Sequence, residues 1–353
     1  MRIIQKLSLL FAGLLLAFVI VEACLRIAGY YPVVLMPPYL FASHPSIGWT
    51  LRPNFNGAIN TPEGRVIYTI NSQGIRAPVD FLTNGNSSIQ RVFIIGDSFT
   101  FGTGINEEYT FPSLLNESMK SQHLPVEFIN LGVPGFGTIH SYERLLAYSD
   151  MLGVPNTVIY VFCPNDPIDN IAGKREVVNG IRIDSHRENK LLLSYIARAY
   201  NDLRSLALLL DFYYSHFDNP RKFRRREFNQ QTEDIDTRQD FAATEKYLSA
   251  MILWAQQNNV NFLVVTTSHS PYSVPLKKML FARRVPVIES DDIFSKFNVT
   301  NESVLLFDGI HWNKHGHRLI ARGIEEVVLK LNVIRTPHQN STSSASLDNR
   351  SQR

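Results

Sequence analysis

The chain has 353 residues, 44% of them hydrophobic, with 35 Lys plus Arg against 32 Asp plus Glu and a formal net charge of +3. This excludes a wholly disordered chain and allows one catalytic-size domain with a small appendage, since single domains run to about 100–250 residues. Five basic residues, Arg221, Lys222, Arg224, Arg225 and Arg226, fall in one run, and without them the balance is slightly acidic, so no general nucleic-acid-binding surface is indicated. The two cysteines, Cys24 and Cys163, exclude a disulfide framework and a cysteine-rich zinc module.

Residues 1–31 read as a transmembrane anchor or a signal segment. Arg2 and Lys6 precede an apolar run over 7–21 whose polar residue is Ser8, followed by Glu22, Cys24 and Arg26. Val21 and Ala23 meet the small-residue rule for signal cleavage, which leaves secretion as the alternative. A retained anchor through residues 3–29 is favoured, because the helical pattern continues through Leu25, Ile27 and Ala28, and Glu22 and Arg26 pair at i, i+4. The basic flank keeps this end cytoplasmic and puts the rest on the extracytoplasmic side. Lipidation at Cys24 is disfavoured by Glu22 two places before it.

Residues 32–88 are rich in Pro, Gly and Asn and read as an irregular, β-rich lead-in with a short β-prone patch at 66–70. From 89 to 333 apolar runs at 92–95, 126–131, 157–162, 262–267 and 304–307 alternate with helical stretches at 111–119, 139–152, 241–256 and 315–331. Strands alternating with helices imply a parallel sheet, and unbroken apolar runs suit strands covered on both faces. A helical insertion over 167–238 interrupts the alternation. Its long helical candidate, 191–210, sets Leu192, Ile196, Ala199, Leu203, Leu206 and Leu210 on one stripe, which predicts core packing or a lid. The polar tail, 334–353, is expected to be disordered.

In open parallel sheets, ligands gather beyond the carboxyl ends of the strands, so the residues after each run carry the functional reading. They are Gly96-Asp97-Ser98, then 132–138 with Gly135, then Asn165-Asp166, and last Asp308 with His311. Together they supply a hydroxyl, glycine N–H groups, an amide and a carboxylate three residues from an imidazole, the parts an acyl-transfer site needs.

These four blocks, in this order, resemble the SGNH hydrolases, also called the GDSL esterase and lipase family, and in particular its membrane-anchored bacterial members. The resemblance spans roughly 46–331. It implies a flavodoxin-like three-layer α/β/α sandwich with a central parallel sheet, and hydrolysis or transfer of acyl esters with no cofactor and no metal. By position in the motifs, Ser98 matches the nucleophile, Asp308 and His311 complete the catalytic triad, and Ser98, Gly135 and Asn165 match the oxyanion hole. One departure stands at Cys163, where the family's third block usually has glycine; a side chain there is expected to project where glycine leaves room.

Plainer readings compete at each position. Ser98 could cap a helix, Gly135 could serve a turn, Asn165 could cap the segment after it, and Asp308 with His311 could be a surface capping pair. Asp97 reads as a prop for the turn and Cys163 as a small buried residue. A metal site from His311, His315, His317, Asp308, Asp166 and Asp169 is disfavoured, since His315 and His317 cannot share His311's face of a helix. The basic run reads as a solvated face, or as a contact for anionic lipid headgroups or acidic polysaccharide. The expectation is a membrane-tethered serine esterase acting on an acyl ester, possible substrates being cell-envelope carbohydrates carrying short acyl groups. The alternatives are an O-acyltransferase with the same triad and a catalytically silent glycan-binding module.

Overall fold

The computed structural model describes residues 2–30, 35–83, 88–171, 175–184, 187–217, 237–268 and 270–331. The basic run 221–226 and the tail 334–353 lie outside the described residues. Helix α1, Arg2–Ile27, is a single apolar rod. Within Ile3–Ile27, 18 consecutive residues reach a mean hydropathy of 2.5 with none of them buried, and by length and composition the stretch fits a membrane anchor or a signal sequence.

The lead-in is more ordered than the Pro and Gly content suggested. Strands β1, Phe41–His44, and β2, Gly48–Leu51, form one antiparallel hairpin, and β3, Asn56–Thr61, and β4, Gly64–Thr69, form another. Leu40, Trp49, Leu51, Tyr68 and Ile70 pack there with Phe101, Val133 and Phe136 in one apolar cluster. The hairpins are therefore anchored to the loops that carry the site residues.

The rest is an α/β domain. In chain order come β5, Gln90–Gly96; α2, Ser98–Phe101; α3, Phe111–Ser121; β6, Val126–Asn130; α4, Thr138–Leu152; β7, Thr157–Phe162; and α5, Asp166–Ile171. A third hairpin follows, β8, Arg175–Val178, with β9, Ile181–Asp184, then α6, Lys190–Asp202, and α7, Arg204–Phe217. The last part runs α8, Thr237–Gln257; β10, Asn261–Thr266; α9, Ser273–Ala282; β11, Val287–Glu289; α10, Ser290–Lys296; and α11, Lys314–Lys330.

Five strands form one parallel sheet in the order β11-β10-β7-β5-β6. The first strand in sequence thus lies between the second and third, the flavodoxin-like order, whose switch point falls between β5 and β7. Successive residues of each strand feed opposite cores. Phe93, Ile95, Val158, Tyr160 and Val264 pack under α4, α8 and α9, while Val92, Ile94, Ile159, Val161 and Val265 pack under α3, α10 and α11. Burial on both faces explains why these strands read as unbroken apolar runs.

Four sequence expectations change. The run 304–307 is not a strand of the sheet: Val304 ends a short 3-10 turn, and Leu305 makes one isolated bridge to Trp312. The fifth strand is β11, whose three residues are too short to give a periodic signal. The insertion 167–238 is not purely helical, since it contains β8 and β9, and the 191–210 helix breaks at Leu203, whose backbone is extended. The predicted core stripe is inward only in part: Leu192 and Ile196 are exposed, Ala199, Leu203 and Leu206 are half-buried, and Ser194 is fully buried.

Candidate active site

Strand β5 ends at Gly96, whose φ of +151° belongs to glycine, and a Cβ there would lie 2.8 Å from the Val161 carbonyl oxygen. The sharp turn that results delivers Ser98 as the first residue of α2 at the switch point. Asp97, fully buried, caps this short helix by accepting from the Phe99 N–H at 3.0 Å. Ser98 Oγ faces two acceptors, His311 Nε2 at 2.9 Å and Asp97 Oδ2 at 3.3 Å.

The loop before α11 brings the imidazole over this hydroxyl. His311 Nδ1 lies 2.6 Å from Asp308 Oδ2, and Asp308 Oδ1 accepts the backbone N–H groups of Ile310 and His311 at 3.0 and 3.1 Å. Burial alone would raise the Asp308 carboxyl, but the facing His311 and these N–H donors outweigh it and hold the carboxyl below the ordinary carboxylate range. The loop is tied down by the Leu306 N–H, which donates to the His311 carbonyl at 2.7 Å, and Phe99 packs beside the imidazole at 5.3 Å between ring centroids. An imidazole between an ionised carboxylate and a serine hydroxyl can take the hydroxyl proton through Nε2.

Gly135 sits after β6 with φ +76°, again left-handed. Asn165 lies after β7, its Nδ2 donating to Asp169 Oδ2 at 2.7 Å and lying 3.4 Å from Asp97 Oδ2. The structure thus brings Ser98, Asp308, His311 and Asn165 into one network from three separate stretches of chain. Cys163, at the position where the family usually has glycine, is fully buried in the apolar cluster under α3, α10 and α11. Its side chain lies in the core, and burial together with Asp97 and Asp166 pushes its thiol well above the ordinary range. Asp166 is likewise raised, by burial and by Asp97, and accepts from the Tyr160 hydroxyl at 2.5 Å.

Among the described residues no group of three His, Cys, Asp or Glu side chains is arranged to hold a metal ion. His315 is exposed, while His317 is buried in contact with Phe111, its Nδ1 accepting the Phe111 N–H at 3.2 Å.

Over residues 92–324 the chain matches the family described as GDSL-like Lipase/Acylhydrolase. The chain belongs to that family. It is a serine ester hydrolase, as the GDSL-like family is. No curated protein matches it. Solved structures similar to it include the psychrotrophic esterase EstA from Pseudoalteromonas sp., 13% identical over 69% of this chain and 98% of that one with TM-score 0.42. Another is the lipase/acylhydrolase from Enterococcus faecalis, 15% identical over 68% of this chain and 95% of that one with TM-score 0.39.

Three residues of this GDSL-like site escaped the sequence reading. Asp169 holds Asn165 through Oδ2 and accepts from Arg175 Nη2 at 2.8 Å through Oδ1. Arg175 Nη1 also donates to the Gly135 carbonyl at 3.3 Å, and Arg182 Nη1 donates to the Pro134 carbonyl. Asp169 had entered only as a metal ligand, and the two arginines lie on a short hairpin inside an insertion, where no motif marks them.

Proposed function

We propose that this protein is an extracytoplasmic, membrane-anchored esterase in which Ser98 is the nucleophile, His311 the general base and Asp308 the residue that orients it. Asp308 accepts the Nδ1 proton, so the Nε2 lone pair faces Ser98 Oγ. His311 takes the hydroxyl proton as Oγ attacks the ester carbonyl carbon, and the oxyanion that forms is held by the backbone N–H groups of Ser98 and Gly135 and by the Asn165 amide. The imidazolium then protonates the leaving alkoxide. Water, deprotonated by the same imidazole, cleaves the acyl-enzyme and returns Ser98 to its starting state.

The observation that carries this reading is the unbroken relay from Asp308 Oδ2 to His311 Nδ1 at 2.6 Å and from His311 Nε2 to Ser98 Oγ at 2.9 Å. The substrate class that fits is a short-chain acyl ester on cell-envelope carbohydrate. It rests on the side of the membrane implied by Arg2 and Lys6 before the apolar helix.

The test is intact-mass spectrometry of the full chain in detergent after treatment with a fluorophosphonate, beside Ser98→Ala. One adduct, absent from the variant, is the expected result. A folded protein that takes no adduct would overturn the triad assignment and favour a silent glycan-binding module. Release of acetate from acetylated polysaccharide, with no release of fatty acid from phospholipid, checks the substrate class.

A further inference from the structure

Helices α6 and α7 carry their polarity the wrong way round for a surface facing water. On α6 the exposed residues include Leu191, Leu192, Tyr195 and Ile196, an i, i+1, i+4, i+5 stripe with Leu192 58% exposed, beside Leu193 and, at the end of the helix, Asp202. The opposite side of α6 holds Ser194, fully buried, whose Oγ accepts from Asn179 Nδ2 at 3.0 Å. On α7 the pattern repeats: Leu208, Leu209 and Phe212 point outward, Leu209 63% exposed, while Ala207 is fully buried. A helix that buries its small and polar residues and presents leucines outward is matched to an apolar surrounding.

The same two helices are fastened to α1. Glu22 accepts from the backbone N–H groups of Arg204 and Ser205 and from Ser205 Oγ, at 3.1, 2.9 and 2.9 Å, so it caps the N-terminus of α7. Arg26, paired with Glu22, donates to the Asp202 carbonyl at 2.7 Å at the end of α6. Lys6 and Glu22 bracket the apolar run over 7–21, which rises about 22 Å at 1.5 Å per residue and so covers most of the thickness of a hydrocarbon layer. Glu22 and Arg26 therefore fall at the boundary of that layer, and the α6–α7 junction is held at the same level.

We infer that the outward apolar faces of α6 and α7 are seated in the lipid bilayer beside α1, as an interfacial platform for the catalytic domain. Such helices lie in the plane of the interface with the apolar face buried roughly 5–10 Å. The inference rests on α1 being the membrane anchor of the proposed function. Because α6 packs on the β8–β9 hairpin, whose arginines reach the 134–135 loop, the platform also holds the active site near the membrane surface.

The test uses the full chain in nanodiscs of phosphatidylcholine and phosphatidylglycerol, with Cys24→Ser and one nitroxide at a time. Labels go on Leu192→Cys, Leu209→Cys, Leu14→Cys in the anchor and Val154→Cys on a remote exposed loop. Collision with dissolved oxygen and with a water-soluble nickel chelate is then measured. Oxygen-to-nickel ratios at 14, 192 and 209 several-fold above that at 154 are expected. Values at 192 and 209 like that at 154, with 14 in lipid, overturn the platform and leave the anchor standing. Shielding of 192 and 209 from both reagents means another protein surface covers them, which also overturns it. A water-like value at 14 removes the anchor and the platform together.

Discussion

Asn165 Nδ2 donates to Asp169 Oδ2 at 2.7 Å across one turn of α5, and the other oxygen of Asp169 accepts from Arg175. The candidate oxyanion donor is thus aimed by a carboxylate that is itself held by the inserted hairpin. Burial pushes the Asp169 carboxyl up, while Arg175 and the Asn165 amide work in the opposite direction.

Asn165→Ala is expected to lower turnover by about 10²–10³-fold while leaving the fold intact, the usual effect of removing one oxyanion donor. Asp169→Ala keeps the amide but frees its orientation, so a smaller loss, in kcat more than in KM, is expected. Steady-state kinetics with a soluble ester, beside thermal unfolding of each variant, check both. Unchanged turnover in Asn165→Ala would remove it from the oxyanion hole.

Asp308→Asn preserves shape but removes the charge that selects the imidazole tautomer, and a loss on the order of 10⁴-fold in kcat is expected. The fluorophosphonate adduct should form correspondingly slowly. A loss below tenfold would mean that His311 needs no orienting carboxylate.

Gly96 and Gly135 both have positive φ, but their surroundings differ. A Cβ on Gly96 meets the Val161 carbonyl in the neighbouring strand, whereas one on Gly135 meets the ends of Arg175 and Arg182, which can move. Gly96→Ala is therefore expected to destabilise the protein by about 1–3 kcal/mol, the range for overpacking, and Gly135→Ala by less. Urea unfolding of the two variants reads the difference directly.

A half-buried and a fully buried histidine, His140 and His317, contribute to the acid sensitivity of the fold. Burial, with Arg175 and Arg182 nearby, lowers His140 to about 4, and burial, with Arg76 and His311, lowers His317 to about 3. The unfolded chain takes up these protons near pH 6.5, before the folded one does. Stability from this source is therefore complete above pH 6.5 and falls as pH drops towards 4, by up to about 1.4 kcal/mol per pH unit per group. Unfolding midpoints from pH 7 to 5 should show this slope, and His317→Gln should reduce it. An unchanged slope in that variant would place the acid sensitivity elsewhere.

Much of the sheet and of the candidate site was legible in the sequence because strands buried on both faces must be continuously apolar, and the chemistry of an open parallel sheet follows its strand ends. Ser98, Asn165 and the Asp308 and His311 pair each stand in a short local motif. Local motifs survive without knowledge of the fold. The 7–21 run announced a long apolar helix for the same reason, since length and hydropathy are properties of one stretch of chain.

The rest depended on contacts between distant segments. The three-residue β11 carries no period of its own and is a strand only because β10 offers it an edge. Cys163 had two readings, a small buried residue and a side chain projecting where glycine leaves room, and the pleat at the end of β7 decides for the first by turning it into the core. Asp169, Arg175 and Arg182 carry ordinary charges on ordinary elements and acquire meaning only where the insertion folds back onto the 134–135 loop. The stripe through Leu192 and Ile196 has the spacing of a core face, and spacing alone cannot say which side of a helix the molecule occupies. That was decided by Ser194 finding Asn179 on the neighbouring hairpin and by Glu22 capping α7 from the far end of the chain, contacts that no single element contains.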